Sequence, residues 1–289
     1  MAEVEKKEII KREGSQVTLT ITVPKKDVSQ AFQEIKKRAV GEVKVSGFRP
    51  GKAPTDLAEK QLNEEALAQD LFQEVVPLAY ARVVSQEKLK PIITPQITVK
   101  EYGRDQDLVF EATTAEAPKV SLGDYKKAVS KLKGSALVGP DGKPLSKDGE
   151  VTAAQALESL RGSVKIEIPH ILVDYEVQRM LSSLIDQVRS LGMTIEQYLT
   201  SQGKKAEDLQ KEYHEIAERN LKDEFILREV AETEGVKVEE KEISDAIEAA
   251  PDEKTKLQLG EDRGRAYLED VLKKRKVIEN LLKLTGKKS

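Results

Sequence analysis

The stretch Val45-Ser46-Gly47-Phe48-Arg49-Pro50-Gly51-Lys52-Ala53-Pro54 sets one aromatic ring beside two cations in a frame of two glycines and two prolines. Glycine loosens the backbone and proline removes a donor, so this is a loop rather than the interior of a helix or strand. Its chemistry is recognition. Phe48 offers a planar apolar surface for a shallow pocket, and Arg49 and Lys52 offer donors to phosphates or carboxylates. From Lys36 to Lys52 the cations are Lys36, Lys37, Arg38, Lys44, Arg49 and Lys52, against the single acid Glu42, which makes the local charge +6 − 1 = +5 in a chain of net charge −3. A basic patch on a mildly acidic protein suits a polyanionic partner such as nucleic acid. The competing account is a turn whose Phe48 folds back onto the core and whose charges are merely solvated.

Other residue types that could do chemistry are sparse. His170 and His214 are the only histidines, and neither has a carboxylate or serine arrangement nearby in sequence that suggests a general base or a zinc pair. With no cysteine, disulfides and thiolate chemistry are excluded. No Gly-rich phosphate loop occurs, so nucleotide use is not indicated. Catalytic residues, metal ligands and cofactors are therefore all expected to be none. The acids Glu239, Glu240, Glu242, Asp245, Glu248, Asp252 and Glu253 read as a solvated helix face, and the cations of Lys273–Lys276 suit a helix C-terminus.

The loop needs elements to hold it. Val17, Leu19, Ile21 and Val23 alternate with threonines, which predicts a strand with one apolar face. Asp27 is a candidate cap for a helix carrying Val28, Phe32, Ile35 and Ala39. After the loop, Pro54 stands near the start of a second helix. Asn63 is placed to cap a third, with Ala66, Leu67, Leu71, Val75 and Leu78 as its apolar residues and Pro77 inside it. Gln96–Tyr102 and Gln106–Thr113 read as a hairpin turning at Gly103-Arg104-Asp105. A strand, helices and a hairpin make an α+β domain with the loop at its helical end.

Beyond Ala117-Pro118-Lys119 the composition changes. Residues 119–163 are rich in glycine, carry Tyr125 as their only aromatic, and read mostly as a linker ending in a short helix at Val151–Arg161. From Val164 onward the pattern is helical: Leu172–Leu191 with a wide apolar stripe, a short bridge at Thr194–Thr200, then Glu207–Glu234, Glu239–Ala250 and Arg263–Leu284. Most of the stripe on Leu172–Leu191 is expected to be core. No segment reaches the ~20 apolar residues of a membrane span and the N-terminus has no signal-like apolar run, so the expected location is cytoplasmic, with no membrane partner.

Gly47-Phe48-Arg49-Pro50-Gly51-Lys52-Ala53-Pro54 resembles the ribosome-docking signature of trigger factor, the bacterial ribosome-associated chaperone. The resemblance runs from about Gly14 to about Lys119. It resumes more loosely from Val164, where Ile168–Glu176 and Glu234-Gly235-Val236 are similar to the C-terminal chaperone domain, shared in outline with the periplasmic chaperone SurA. The resemblance implies an α+β ribosome-binding domain (1–118), a linker (119–163) and a mostly α-helical, SurA-like chaperone domain (164–289). It implies an ATP-independent chaperone that docks against a protein and rRNA at the nascent-chain exit tunnel and shields unfolded or nascent polypeptides. The ribosome-binding residues would be Gly47, Phe48, Arg49, Pro50, Gly51 and Lys52, with Phe48 the anchor. Client-binding residues are not assigned, and a homodimer stays open. Trigger factors usually carry an inserted prolyl isomerase domain of the FKBP type. Residues 119–163 are too few, and too poor in aromatics, to build that sheet and pocket. The expectation is a protein that is not an enzyme, the alternatives being an active isomerase or a SurA-like holdase that never meets the ribosome.

Overall fold

The computed structural model describes residues 9–49, 53–103, 106–132 and 151–285. Its chain divides into two compact units, Met1–Ala117 and Pro118–Ser289.

In the first unit β1 (Ile9–Glu13) and β2 (Gln16–Val23) precede helices α1 (Lys25–Glu42), α2 (Thr55–Glu59) and α3 (Glu64–Gln86), and β3 (Gln96–Glu101) and β4 (Leu108–Ala115) follow. The four strands form one antiparallel sheet in the order β1-β2-β4-β3. Period-two alternation decides its faces. Val17, Leu19, Ile21 and Val23 of β2, with Leu108, Phe110 and Ala112 of β4, are buried in one cluster with Val28 and Ile35 of α1 and Leu67, Leu71 and Val83 of α3. The opposite face is polar, with Thr18 and Thr113 hydroxyls 3.5 Å apart and Lys100 paired to Glu111 at 2.8 Å.

Asn63 caps α3 as its sequence position predicts, its side-chain oxygen accepting from the Glu65 and Ala66 amides at 2.8 and 3.2 Å. Asp27 does not cap α1. The helix begins three residues earlier behind Pro24, and Asp27 lies in its first turn, where a carboxylate still suits the helix dipole. The apolar stripe of α3 is also narrower than expected. Leu71 is fully buried, whereas Ala66, Pro77 and Leu78 face solvent, Leu78 being 74% exposed. On that face the carbonyl left without its proline donor can be hydrated. The turn residues Arg104 and Asp105 lie outside the described residues.

The second unit contains α4 (Tyr125–Ser130), α5 (Ala153–Ser163), α6 (His170–Ser190), α7 (Ile195–Ser201), α8 (Ala206–Thr233), α9 (Glu240–Glu248), α10 (Glu253–Gly260) and α11 (Asp262–Leu284). The described parts of 119–163 are more than a linker. Tyr125, Val129 and Leu160 are buried with Ile226 and Val230 of α8 and Val277 and Leu281 of α11. Ser121 and Lys165 exchange backbone hydrogen bonds of 2.9 and 3.0 Å. Arg161 on α5 donates to both oxygens of Asp223 on α8 at 2.8 and 2.6 Å. Burial pushes the Asp223 carboxyl up in pKa, and Arg161 pulls against that shift. A second cluster joins Val173 and Val177 of α6 to Ala217 of α8. Most of the α6 stripe is core, as expected, but Tyr175, Ile185 and Leu191 are exposed.

Candidate functional site

Helix α1 ends at Glu42, where the Val43 amide donates to the Ala39 carbonyl at 2.9 Å. After Lys44, the four residues Val45-Ser46-Gly47-Phe48 close a turn in which the Phe48 amide donates to the Val45 carbonyl at 3.1 Å. Gly47, third in the turn, has φ +86°, while Ser46 is not in the left-handed region; this matches the type II arrangement, whose third position favours glycine. A Cβ added at Gly47 would meet nothing within 4 Å, so the requirement is one of backbone conformation and not of space. Chain re-entry is set by Pro54, whose φ is −54° and whose carbonyl accepts from the Leu57 and Ala58 amides at 3.0 and 3.1 Å as α2 begins.

The turn carries Phe48 outward. Phe48 is 45% exposed and is not part of the cluster that packs the sheet against α1 and α3. Arg49 and Lys44 are exposed beside it. Of the six residues named from the sequence, Gly47, Phe48 and Arg49 are brought together at this tip, and Pro50, Gly51 and Lys52 lie outside the described residues.

The basic patch is less uniform than its sequence. Lys36 of α1 pairs with Glu59 of α2 at 2.7 Å, and Arg38 pairs with Glu74 of α3. Glu74 foremost, with Asp70 and Glu42 behind it, raises the pKa of the Arg38 guanidinium. Lys37, Lys44 and Arg49 form no ion pair among the described residues. A cleft of about 560 Å³ lies along this flank, lined by Phe32, Leu62 and Leu67 with Lys36, Asp56 and Glu59 at its polar edge. Sequence reasoning missed the two acidic partners, which arrive from 23 and 36 residues away.

In the second unit the large apolar side chains left in solvent include Leu191, Leu257 and Tyr267, exposed by 75%, 73% and 63%. His170 is exposed at the start of α6 and His214 is half-buried on α8. Among the described residues no group of three or more histidines, aspartates or glutamates is disposed to hold a metal ion, and no helix is long and apolar enough to cross a membrane.

The first unit is α+β and displays an aromatic and basic tip, and the second is mostly helical and leaves Leu191, Leu257 and Tyr267 in water. The model of the bacterial trigger factor protein matches residues 5–135, and that of the trigger factor C-terminus matches residues 148–283. The chain belongs to the trigger factor family. Trigger factors of Staphylococcus aureus, from strains JH9 and Newman, are 38% identical over 116 residues; the match spans 40% of this chain and 27% of the length of each relative. The fold is similar to a solved trigger factor structure, reported for promiscuous substrate recognition in folding and assembly activities, with a TM-score of 0.62 at 16% identity over 96% of this chain and 100% of that one.

Proposed function

We propose that this chain is an ATP-independent, ribosome-associated chaperone of the cytoplasm. It docks beside the nascent-chain exit through the Phe48-Arg49 tip and shields emerging polypeptides with its helical unit. The observation that carries the reading is the exposed Phe48 ring, presented by a turn in which Gly47 has the positive φ that favours glycine, with cations beside it that form no ion pair among the described residues. Folding gains nothing from leaving a phenylalanine in water, whereas a pocket on a partner would gain roughly 1.5–3 kcal/mol on burying it fully. Pro50, Gly51 and Lys52 complete the docking set on the strength of the sequence motif. Exposed Leu191, Leu257 and Tyr267 supply apolar surface of the kind that weak, unselective holding needs. Docking would raise the local concentration of that surface around each emerging chain.

We further infer that the chain is not a prolyl isomerase. Only residues 136–147 separate the two matched segments, far fewer than an enzyme domain with its own core requires. Co-sedimentation with ribosomes tests the docking reading. The wild type should pellet with them, and the double variant Phe48→Ala, Arg49→Ala should remain in solution with an unchanged circular dichroism spectrum. A double variant that pelleted like the wild type would leave the loop an ordinary turn.

A further inference from the structure

Lys36, Lys37 and Arg38 are consecutive cations, but the helix turns them to different neighbours. Successive residues are about 100° apart, so Lys36 and Arg38 stand on opposite flanks of α1 and Lys37 faces between them. One flank meets α2, where Lys36 pairs with Glu59 at 2.7 Å, and the other meets α3, where Arg38 pairs with Glu74. Lys37 is exposed and has no ion-pair partner among the described residues. The carboxylate nearest to it along the helix is Glu34, one turn further from the loop, which accepts a 3.4 Å hydrogen bond from Gln30.

The helix surface opens at one point between Lys37 and the loop. One turn toward the loop from Lys37 comes Gly41, which is exposed and has no atom within 4 Å of the place a Cβ would occupy. Glycine weakens a helix interior relative to alanine, and nothing inside the domain asks for it here. Bare backbone at this position lets a large partner come close to the α1 axis. Lys37 itself stands five residues before the helix end, about 7.5 Å along the axis from the loop's stem. That is a spacing a run of backbone phosphates can bridge.

We propose that the docking surface extends from the Phe48 tip along α1 to Lys37, a further phosphate-contacting cation, while Lys36 and Arg38 are positioning residues that brace the stem of the loop. This assignment rests on the ribosome-docking reading. It divides a uniform basic run into one cation for the partner's RNA and two for the fold.

The salt dependence of ribosome binding separates these roles, because each cation that displaces counterions from phosphate steepens the decline of affinity with salt. Lys37→Gln should lower affinity about 3- to 10-fold at low salt and reduce the slope of log K against log salt by about 0.7–0.9. Lys36→Gln and Arg38→Gln should leave that slope at its wild-type value, whatever they do to affinity. Glu59→Gln provides the sign: if Lys36 were a ribosome contact held back by Glu59, freeing it would raise affinity and steepen the slope. As a brace, its release should do neither. The assignment is overturned if Lys37→Gln keeps the wild-type slope, if Lys36→Gln loses as much slope as Lys37→Gln, or if Glu59→Gln binds more tightly. Measuring the Phe48→Ala, Arg49→Ala variant alongside keeps the two claims apart. A wild type that does not bind ribosomes, or a double variant that binds equally well, defeats the docking reading and this inference with it. Loss of binding in the double variant with a wild-type slope in Lys37→Gln defeats only the inference.

Discussion

Replacing Gly47 by alanine isolates the backbone's share in the proposed docking tip. Alanine adds one methyl group, and nothing lies within 4 Å of where it would sit, so no steric clash enters the reckoning. What remains is the conformation, φ +86°, which an L-residue occupies at a penalty of roughly 1–2 kcal/mol. The penalty can be met in two ways. If the turn holds, the folded state loses that amount, less the 0.4–1 kcal/mol by which alanine restricts the unfolded chain. If the turn gives way, stability is kept, because Gly47 and Phe48 are exposed and stand outside the cluster between the sheet and α1 and α3, and the ring moves instead. The loop's lack of core contacts favours the second course. Gly47→Ala should therefore leave the denaturation midpoint within about 1 kcal/mol of wild type and lower ribosome affinity about 5- to 30-fold, the equivalent of 1–2 kcal/mol. Gly47→Asn should be milder, since asparagine visits the left-handed region more readily. Chemical denaturation and quantitative ribosome co-sedimentation on the three proteins give both numbers. Wild-type affinity in Gly47→Ala, or an asparagine variant weaker than the alanine one, would refute the reasoning.

Five further outcomes are expected. Leu71→Ala should destabilise the first unit by about 2–5 kcal/mol, read by denaturation, because Leu71 is fully buried against the sheet and leaves a cavity. Tyr125→Phe should weaken the second unit by about 1.5–3 kcal/mol in the same assay, since the Tyr125 hydroxyl donates to the Glu234 carboxylate at 2.5 Å; an unchanged midpoint would remove that bond from the account. Glu116 accepts from the Lys90 amide at 2.8 Å and pairs with Arg12 at 2.6 Å, and these partners, the amide foremost, hold its carboxyl below the usual range. A depressed pKa contributes stability above the unfolded value and loses it as pH falls through the folded one, so the advantage of wild type over Glu116→Gln should be full at neutral pH and shrink below roughly pH 4; a gap independent of pH would contradict this. Residues 1–118 alone should fold, by circular dichroism, and keep ribosome docking, and the whole chain at catalytic concentration should not accelerate cis–trans exchange in a proline peptide.

Legibility in the sequence followed how local the determining physics is. The Val-Thr alternation of β2, the Asn63 cap and the Gly47-Phe48-Arg49 tip were all readable, because period, cap and turn chemistry act within a few residues. The strand β1 was not, since its sequence IIKRE places only Ile10 against the core and leaves Ile9 60% exposed. Helix α10 escaped for a similar reason: none of its residues is buried, so no apolar stripe announces it. Residues 119–132 read as part of a linker because Gly-rich chain follows them, yet Tyr125 and Val129 find their partners on α8 and α11, a hundred residues and more away. The same distance effect governs the site. Which cations are free depends on Glu59 and Glu74 being folded against α1, and no pattern within residues 36–52 carries that information.

The central claim is that position 48 sits against the ribosome in the working complex. A photo-crosslinking amino acid placed at Phe48 reports this directly when the full chain is irradiated with purified ribosomes. The account predicts crosslinks to protein or rRNA at the nascent-chain exit, which disappear when unlabelled wild-type chain is added in excess. Crosslinks confined to the chain itself, or scattered over the ribosome and insensitive to competition, would contradict it.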